Sequence, residues 1–209
     1  TGTFLDTNGR SNIVACTFNG TGKTGGAYAS IGGAALVYGC RFFNDDRTAS
    51  GLLVQCAAGC LVHSNYFDGI NNSAYDIYTY SSHFVNNVLR YESTYTYNTG
   101  SLLSIDGGKI SNNTFVGPGV GGTPAAACIL LTNAYEMNHI ANNYFEGFNM
   151  CINVAGASTH PYLINQLVGN RYHNCNYFLE AGTPADSVIL NKENEELSST
   201  GLVDISSAD

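Results

Sequence analysis

Apolar residues along this chain alternate with polar ones in short bursts, and no stretch carries the 3.6-residue stripe of a capped helix. The bursts LLVQC (52–56), YDIYTY (75–80), LLSID (102–106), CILLTN (128–133), CINVAG (151–156) and YFLEAG (177–182) have the two-residue period of strands with one face buried. Between them a phrase returns, fullest in SNNTFVG (111–117) and ANNYFEG (141–147). Its large apolar anchors are Phe18, Phe43, Phe67, Leu89, Phe115, Phe145 and Tyr172, spaced 25, 24, 22, 26, 30 and 27 residues apart. Five residues before them stand Ile13, Tyr38, Val62, Phe84, Ile110, Ile140 and Leu167. Two residues before, five of the seven copies place asparagine: Asn65, Asn87, Asn113, Asn143 and Asn170.

Residues 102–117 show one unit: strand LLSID, a turn at Gly107–Gly108, strand KIS, a turn at Asn112–Asn113, and strand TFVG. Repeats of this length mark a solenoid, in which each turn of the chain stacks its strands on the previous turn about 4.8 Å away. The expectation is therefore an all-β parallel β-helix of about seven rungs, three short strands to a rung, over residues 1–190. Residues 191–209 open with the charge run NKENEEL, expected as a solvated loop, and LVDIS is a possible last strand with Leu202 and Ile205 buried. The repeated asparagines have a structural reading. An amide carries two donors and an acceptor, so it can satisfy backbone groups at a bend and pair with its copies above and below. The aromatic two residues on points inward and stacks on its equivalents.

The polar part is rich in Asn, Gly, Ser, Thr and Tyr, which suits strands and tight turns. Lys plus Arg total 8 against 16 Asp plus Glu, a balance that argues against a duplex nucleic-acid binder. No apolar run approaches the roughly 18 residues of a membrane span, so membrane insertion is not expected. The cysteines, Cys16, Cys40, Cys56, Cys60, Cys128, Cys151 and Cys175, are odd in number and scattered, and read as small buried apolar residues, reduced, not as a disulfide framework. No metal is expected: Cys56–Cys60 has no matching second pair, and His63, His83, His139, His160 and His173 are dispersed. Gly22-Lys23-Thr24 is not a phosphate-binding loop, because Thr17 stands where that pattern needs glycine. No cofactor is implied.

The recurrent Ile-x-x-Asn-x-Phe-x-Gly phrase resembles the right-handed parallel β-helix of the pectate-lyase-like superfamily, and most of all the bodies of bacteriophage tailspikes and depolymerases. The resemblance runs from Ile13 to about Leu190. It implies a homotrimer on a virion tail or other extracellular surface, assembled in cytoplasm, and a polysaccharide partner. A chain that starts inside the repeat also suggests a piece of a longer polypeptide. The resemblance is specific for fold and says little about activity, since lyases, hydrolases, epimerases, adhesins and spikes share this body. The polygalacturonase signature is missing: Asp45-Asp46 is a bare pair, and no Arg-x-Lys follows it.

The tyrosines offer candidate chemistry. With Ile77 inward, Asp76, Tyr78 and Tyr80 face outward, and with Leu103 and Ile105 inward, Ser104 and Asp106 do the same. Tyr95 and Tyr97 lie in the loop between these strands. The expected result is a groove of phenols and carboxylates that suits a sugar, whose C–H faces stack on rings while hydroxyls meet polar groups. In it Asp76 and Asp106 are the candidate acid and base of glycoside hydrolysis, which needs two carboxyls about 5–9.5 Å apart. The plainer reading is ordinary solvated aspartates. At a net charge of −8 a neutral glycan is favoured over an anionic one. On the strand that carries the anchors, Asp68 beside Arg90 and Glu146 beside His173 are expected to pair across turns, as exposed pairs that contribute little. The alternatives to a depolymerase are a non-catalytic fibre segment with an apolar strip for trimer packing, and a secreted lyase or adhesin.

Overall fold

Strands this short cannot satisfy their backbone groups within one turn of chain, so each turn must take its hydrogen bonds from the next. The computed structural model describes residues 5–8, 10–21, 29–32, 35–43, 54–56, 58–70, 77–91, 103–117, 119, 127–131, 138–154, 163–181 and 187–198. Every regular element among them is a strand. The first rung holds β1 (Leu5–Asn8), β2 (Asn12–Val14) and β3 (Thr17–Asn19), and the second β4 (Ala29–Gly32), β5 (Leu36–Tyr38) and β6 (Arg41–Phe43). The third has β7 (Val54–Cys56), β8 (Leu61–His63) and β9 (Tyr66–Ile70). In the fourth and fifth the first two strands run together, as β10 (Ile77–Val85) with β11 (Val88–Tyr91), and β12 (Leu103–Ser111) with β13 (Thr114–Val116). The sixth has β14 (Ala127–Leu131), β15 (Asn138–Ala141) and β16 (Tyr144–Glu146). The seventh has β17 (Met150–Val154), β18 (Leu163–Val168) and β19 (Arg171–His173), and the eighth β20 (Tyr177–Ala181), β21 (Ser187–Lys192) and β22 (Glu195–Ser198).

All pairings are parallel between consecutive rungs. The third strands make one eight-stranded sheet, β22-β19-β16-β13-β11-β9-β6-β3, and the first and second strands make one of fourteen. This is a parallel β-helix. Three features differ from the sequence reading. The turn expected at Gly107–Gly108 is replaced by continuous strand. Past residue 190 both sheets go on: Leu190, Asn191 and Lys192 pair with Gln166, Leu167 and Val168, and Glu195 pairs with Arg171. The charge run therefore lies largely in strands, and an eighth rung joins the seven that the phrase marked. The segment LVDIS lies outside the described residues, as do Asp45 and Asp46.

The third difference is one of register. In the second rung Phe42, not Phe43, is the inward anchor: it pairs with Phe18 and Phe67 and is 1 % exposed. Val37, not Tyr38, is the matching residue on the second strand, and Tyr38 is exposed. The pair Phe42-Phe43 offers two candidate anchors, and this rung has no asparagine to choose between them; Cys40 stands in that place.

The inward residues form axial columns. Ile13, Val37, Val62, Phe84, Ile110, Ile140 and Leu167 are register partners in turn and all are buried. On the third strand Phe18 stacks on Phe42 with ring centroids 4.6 Å apart, Phe42 on Phe67 at 4.7 Å, and Phe115 on Phe145 at 5.1 Å, each nearly coplanar. These separations match the strand spacing, so the backbone ladder sets the ring stack.

The asparagines form a continuous ladder. Asn65, Asn87, Asn113, Asn143 and Asn170 are at most 2 % exposed. Each Nδ2 donates to a main-chain oxygen of the rung before it, on Val37, Val62, Phe84, Ile110 and Ile140 respectively. Each also donates to the Oδ1 of the next asparagine, which accepts a main-chain N–H from the same residue. Asn170 hands on to Asn194, a sixth ladder member inside the charge run. Both donors and the acceptor of each buried amide are thus engaged, which removes the cost of burying it.

Candidate functional site

The first wall carries the strands on which the groove is expected. Parallel pairing of β10 with β12 sets Tyr78 beside Ser104 and Tyr80 beside Asp106. Four of the candidate residues therefore occupy two adjacent register positions on neighbouring rungs. For these four only the backbone is described. Asp76, Tyr95 and Tyr97 lie outside the described residues. Ile77 and Leu103 share a register position with Ile129, Ile152 and Leu179, and these last three are buried. The Tyr78–Ser104 position continues through Leu130 to Asn153, which is half-buried.

The outer face of the third wall bears a second set of polar groups. Its logic is local: with Phe67 and Phe145 inward, both neighbours of each must share the outer face. Tyr66 accordingly donates its hydroxyl to Asp68 at 3.4 Å, and Tyr144 to Glu146 at 3.3 Å. The next rung adds a basic side chain to each. Arg90 Nη1 donates to the Tyr66 oxygen at 3.5 Å, and His173 Nδ1 lies 3.8 Å from Glu146. Arg90 therefore meets the phenol, and Asp68 acts on it through its charge. The Tyr66 hydroxyl first, and then the Asp68 charge, hold its guanidinium above the ordinary value. Burial and the neighbouring Glu146 together raise the Tyr144 phenol. The Arg41 guanidinium carbon lies 5.1 Å from the Phe43 ring centre and 5.6 Å from that of Tyr66. The two Tyr-x-acid units, NYFDG and NYFEG, were visible in the sequence as residues flanking an inward anchor.

At the corner between second and third walls, His63 is held on both nitrogens. Ser64 Oγ is 2.8 Å from Nδ1, Asn86 Nδ2 is 3.0 Å from Nε2, and the Tyr38 ring stacks 5.6 Å away. Among the described residues no three His, Cys, Asp or Glu side chains converge as metal ligands, and no helix is long and apolar enough to cross a membrane. Compared with known protein families, with curated proteins and with solved structures, the chain matches none.

Proposed function

We propose that this chain is a carbohydrate-recognising β-helix whose first wall holds the glycan. The observation that carries the reading is the pairing of Tyr78 with Ser104 and Tyr80 with Asp106 on adjacent rungs of one parallel sheet. Phenols and hydrogen-bonding groups carried at neighbouring register positions suit a ring with an apolar face and a polar rim. Loops on a rigid body are where recognition is usually built, and in the sequence Tyr95 and Tyr97 fall between β11 and β12. Asp76 and Asp106 supply the carboxylates for glycoside hydrolysis, one protonating the leaving oxygen and the other activating water.

The test is a panel of bacterial surface polysaccharides, with binding and chain shortening scored separately. Tyr80→Ala is expected to weaken binding about tenfold, the loss of one ring contact. Asp106→Asn and Asp76→Asn are expected to keep binding and to slow the release of reducing ends by about 10²-fold or more. Unchanged shortening in both aspartate variants removes the catalytic assignment; unchanged binding in Tyr80→Ala removes the glycan face.

A separate observation favours a fibre role beside this one. Val14 and Tyr38, 47 and 45 % exposed, are register partners on β2 and β5, and Leu61, 37 % exposed, pairs with Leu36 two residues along, so the strip is a short apolar patch on the second wall. Such a strip fits packing between copies in a homotrimer. Sedimentation of the wild type is then expected to give a trimer, and Leu61→Lys a monomer. A monomeric wild type ends that reading.

A further inference from the structure

The amide ladder stops at Asn65, and cysteine takes its place in the two rungs before. The Cys40 N–H donates to Asn65 Oδ1 at 2.9 Å, as each ladder asparagine's N–H does to the next. Cys40 Sγ reaches back to the Ile13 carbonyl at 3.5 Å, the place where Asn65 Nδ2 reaches Val37. Cys16 stands one rung earlier. The Arg41 N–H donates to the Cys16 carbonyl at 2.9 Å, and Thr17 pairs with Arg41, so the two cysteines are neighbours in register. Their thiols lean the same way: Cys16 Sγ lies 3.4 Å from the Val14 carbonyl and Cys40 Sγ 3.5 Å from that of Tyr38, each two residues back. A thiol is a weak donor and a weak acceptor, so this junction has no equivalent of the paired amide bonds that join the later rungs.

We propose that Cys16 and Cys40 form a disulfide site, a covalent clamp between the first two rungs where the amide clamp ends. Parallel neighbours stand about 4.8 Å apart, inside the 4.4–6.8 Å span of Cα atoms that a disulfide bridges. Closure needs rotation about χ1 and a small approach of the Cβ atoms.

Exposure sets the order of events. Cys16 is exposed and Cys40 is 2 % exposed. The Cys16 thiolate attacks one sulfur of a small-molecule disulfide such as oxidised glutathione, forming a mixed disulfide and expelling one thiolate. The Cys40 thiol gives up its proton and attacks Cys16 Sγ, expelling the second thiolate. Two protein thiols are oxidised, one disulfide of the reagent is reduced to two thiols, and the two protons pass to them. Burial, and the closeness of Cys16, raise the Cys40 thiol, so it reacts second and within the molecule. The other cysteines whose side chains are described, Cys60, Cys128, Cys151 and Cys175, are all buried, and Cys128 and Cys151 have thiols pushed well up by burial. None of them offers the reagent an exposed first sulfur.

The native chain is incubated with oxidised glutathione at about pH 8, quenched in acid, unfolded, alkylated and mapped by mass spectrometry. Most chains are expected to carry a Cys16–Cys40 crosslink that dithiothreitol reverses, with Cys128, Cys151 and Cys175 alkylated. Cys40→Ser is expected to leave glutathione parked on Cys16, and Cys16→Ser to leave Cys40 unmodified. Wild type that ends with glutathione on Cys16 and a free Cys40 overturns the proposal, as does an unreactive Cys16 or a crosslink between any other pair. The wild-type map decides the matter whether or not the serine variants fold.

Discussion

Asn113→Ala is expected to destabilise the fold by about 3–4 kcal/mol, measured as a lowered midpoint of urea unfolding with unchanged slope. Asn113 sits inside the ladder, 1 % exposed, with a rung on each side. Its Oδ1 accepts the N–H and the Nδ2 of Asn87, and its Nδ2 donates to the Phe84 carbonyl and to Asn143 Oδ1. Alanine removes all four bonds, and no water replaces them at a site this buried without opening the stack. The Asn87 N–H is left without its acceptor, and each such buried orphan costs about 1–3 kcal/mol. Asn112 is the control. It is one residue earlier and exposed, with φ of +57°, a conformation asparagine tolerates. Asn112→Ala gives up only that tolerance, at about 1 kcal/mol. Equal effects at the two positions would mean that the ladder contributes nothing beyond its backbone geometry.

Gly108→Ala is expected to be worse, leaving no folded chain at 37 °C. Gly108 lies in mid-strand, where β12 passes from the first wall to the second without a turn, and its φ is +119°. Its register partner is Ser82, which is fully buried. A Cβ at this position would lie 2.8 Å from the Ser82 amide nitrogen and closer still to its carbonyl oxygen. Neither atom can yield, because both belong to the backbone of the neighbouring rung. Backbone strain and overlap therefore add, beyond the 4–5 kcal/mol that few point substitutions reach. Gly39→Ala separates the two terms. Gly39 also has positive φ, at +62°, but an added Cβ meets nothing within 4 Å. Strain alone is expected there, about 1–2 kcal/mol. A Gly108→Ala protein that unfolds like Gly39→Ala would show that the rungs can part to admit a methyl group. Circular dichroism and the unfolding midpoint distinguish the cases.

How far the sequence could be read depended on whether two independent marks agreed at a rung. From the third rung to the seventh, asparagine and a large apolar residue stand two apart, and there the inward residues and the pairing were legible. The second rung offers Cys40 instead of asparagine, and Phe42-Phe43 allows a slip of one residue, which exchanges inner and outer faces. The eighth rung keeps the asparagine, Asn194, but carries Glu196 where the others carry a large apolar residue, so apolar periodicity passes over it. Glu196 pairs with Tyr172 yet stays half-exposed, because it has a partner rung on one side only among the described residues. The candidate groove follows the same rule. The positions of Tyr78, Tyr80, Ser104 and Asp106 came from inward neighbours on regular strands, and the pairing of β10 with β12 brings them side by side. The Tyr66–Asp68 and Tyr144–Glu146 units obey identical alternation, but composition gave no reason to look at them as pairs. Cys16 is exposed, against the expectation that the cysteines are buried.

Ladder partners stand 25, 22, 26, 30, 27 and 24 residues apart in sequence, yet the bonds between them all fall between 2.8 and 3.1 Å. The intervening chain can therefore grow or shrink by eight residues without changing the axial rise. Outer segments are interchangeable parts on a body of constant pitch, so the surface can be rewritten one segment at a time while the body stays as it is.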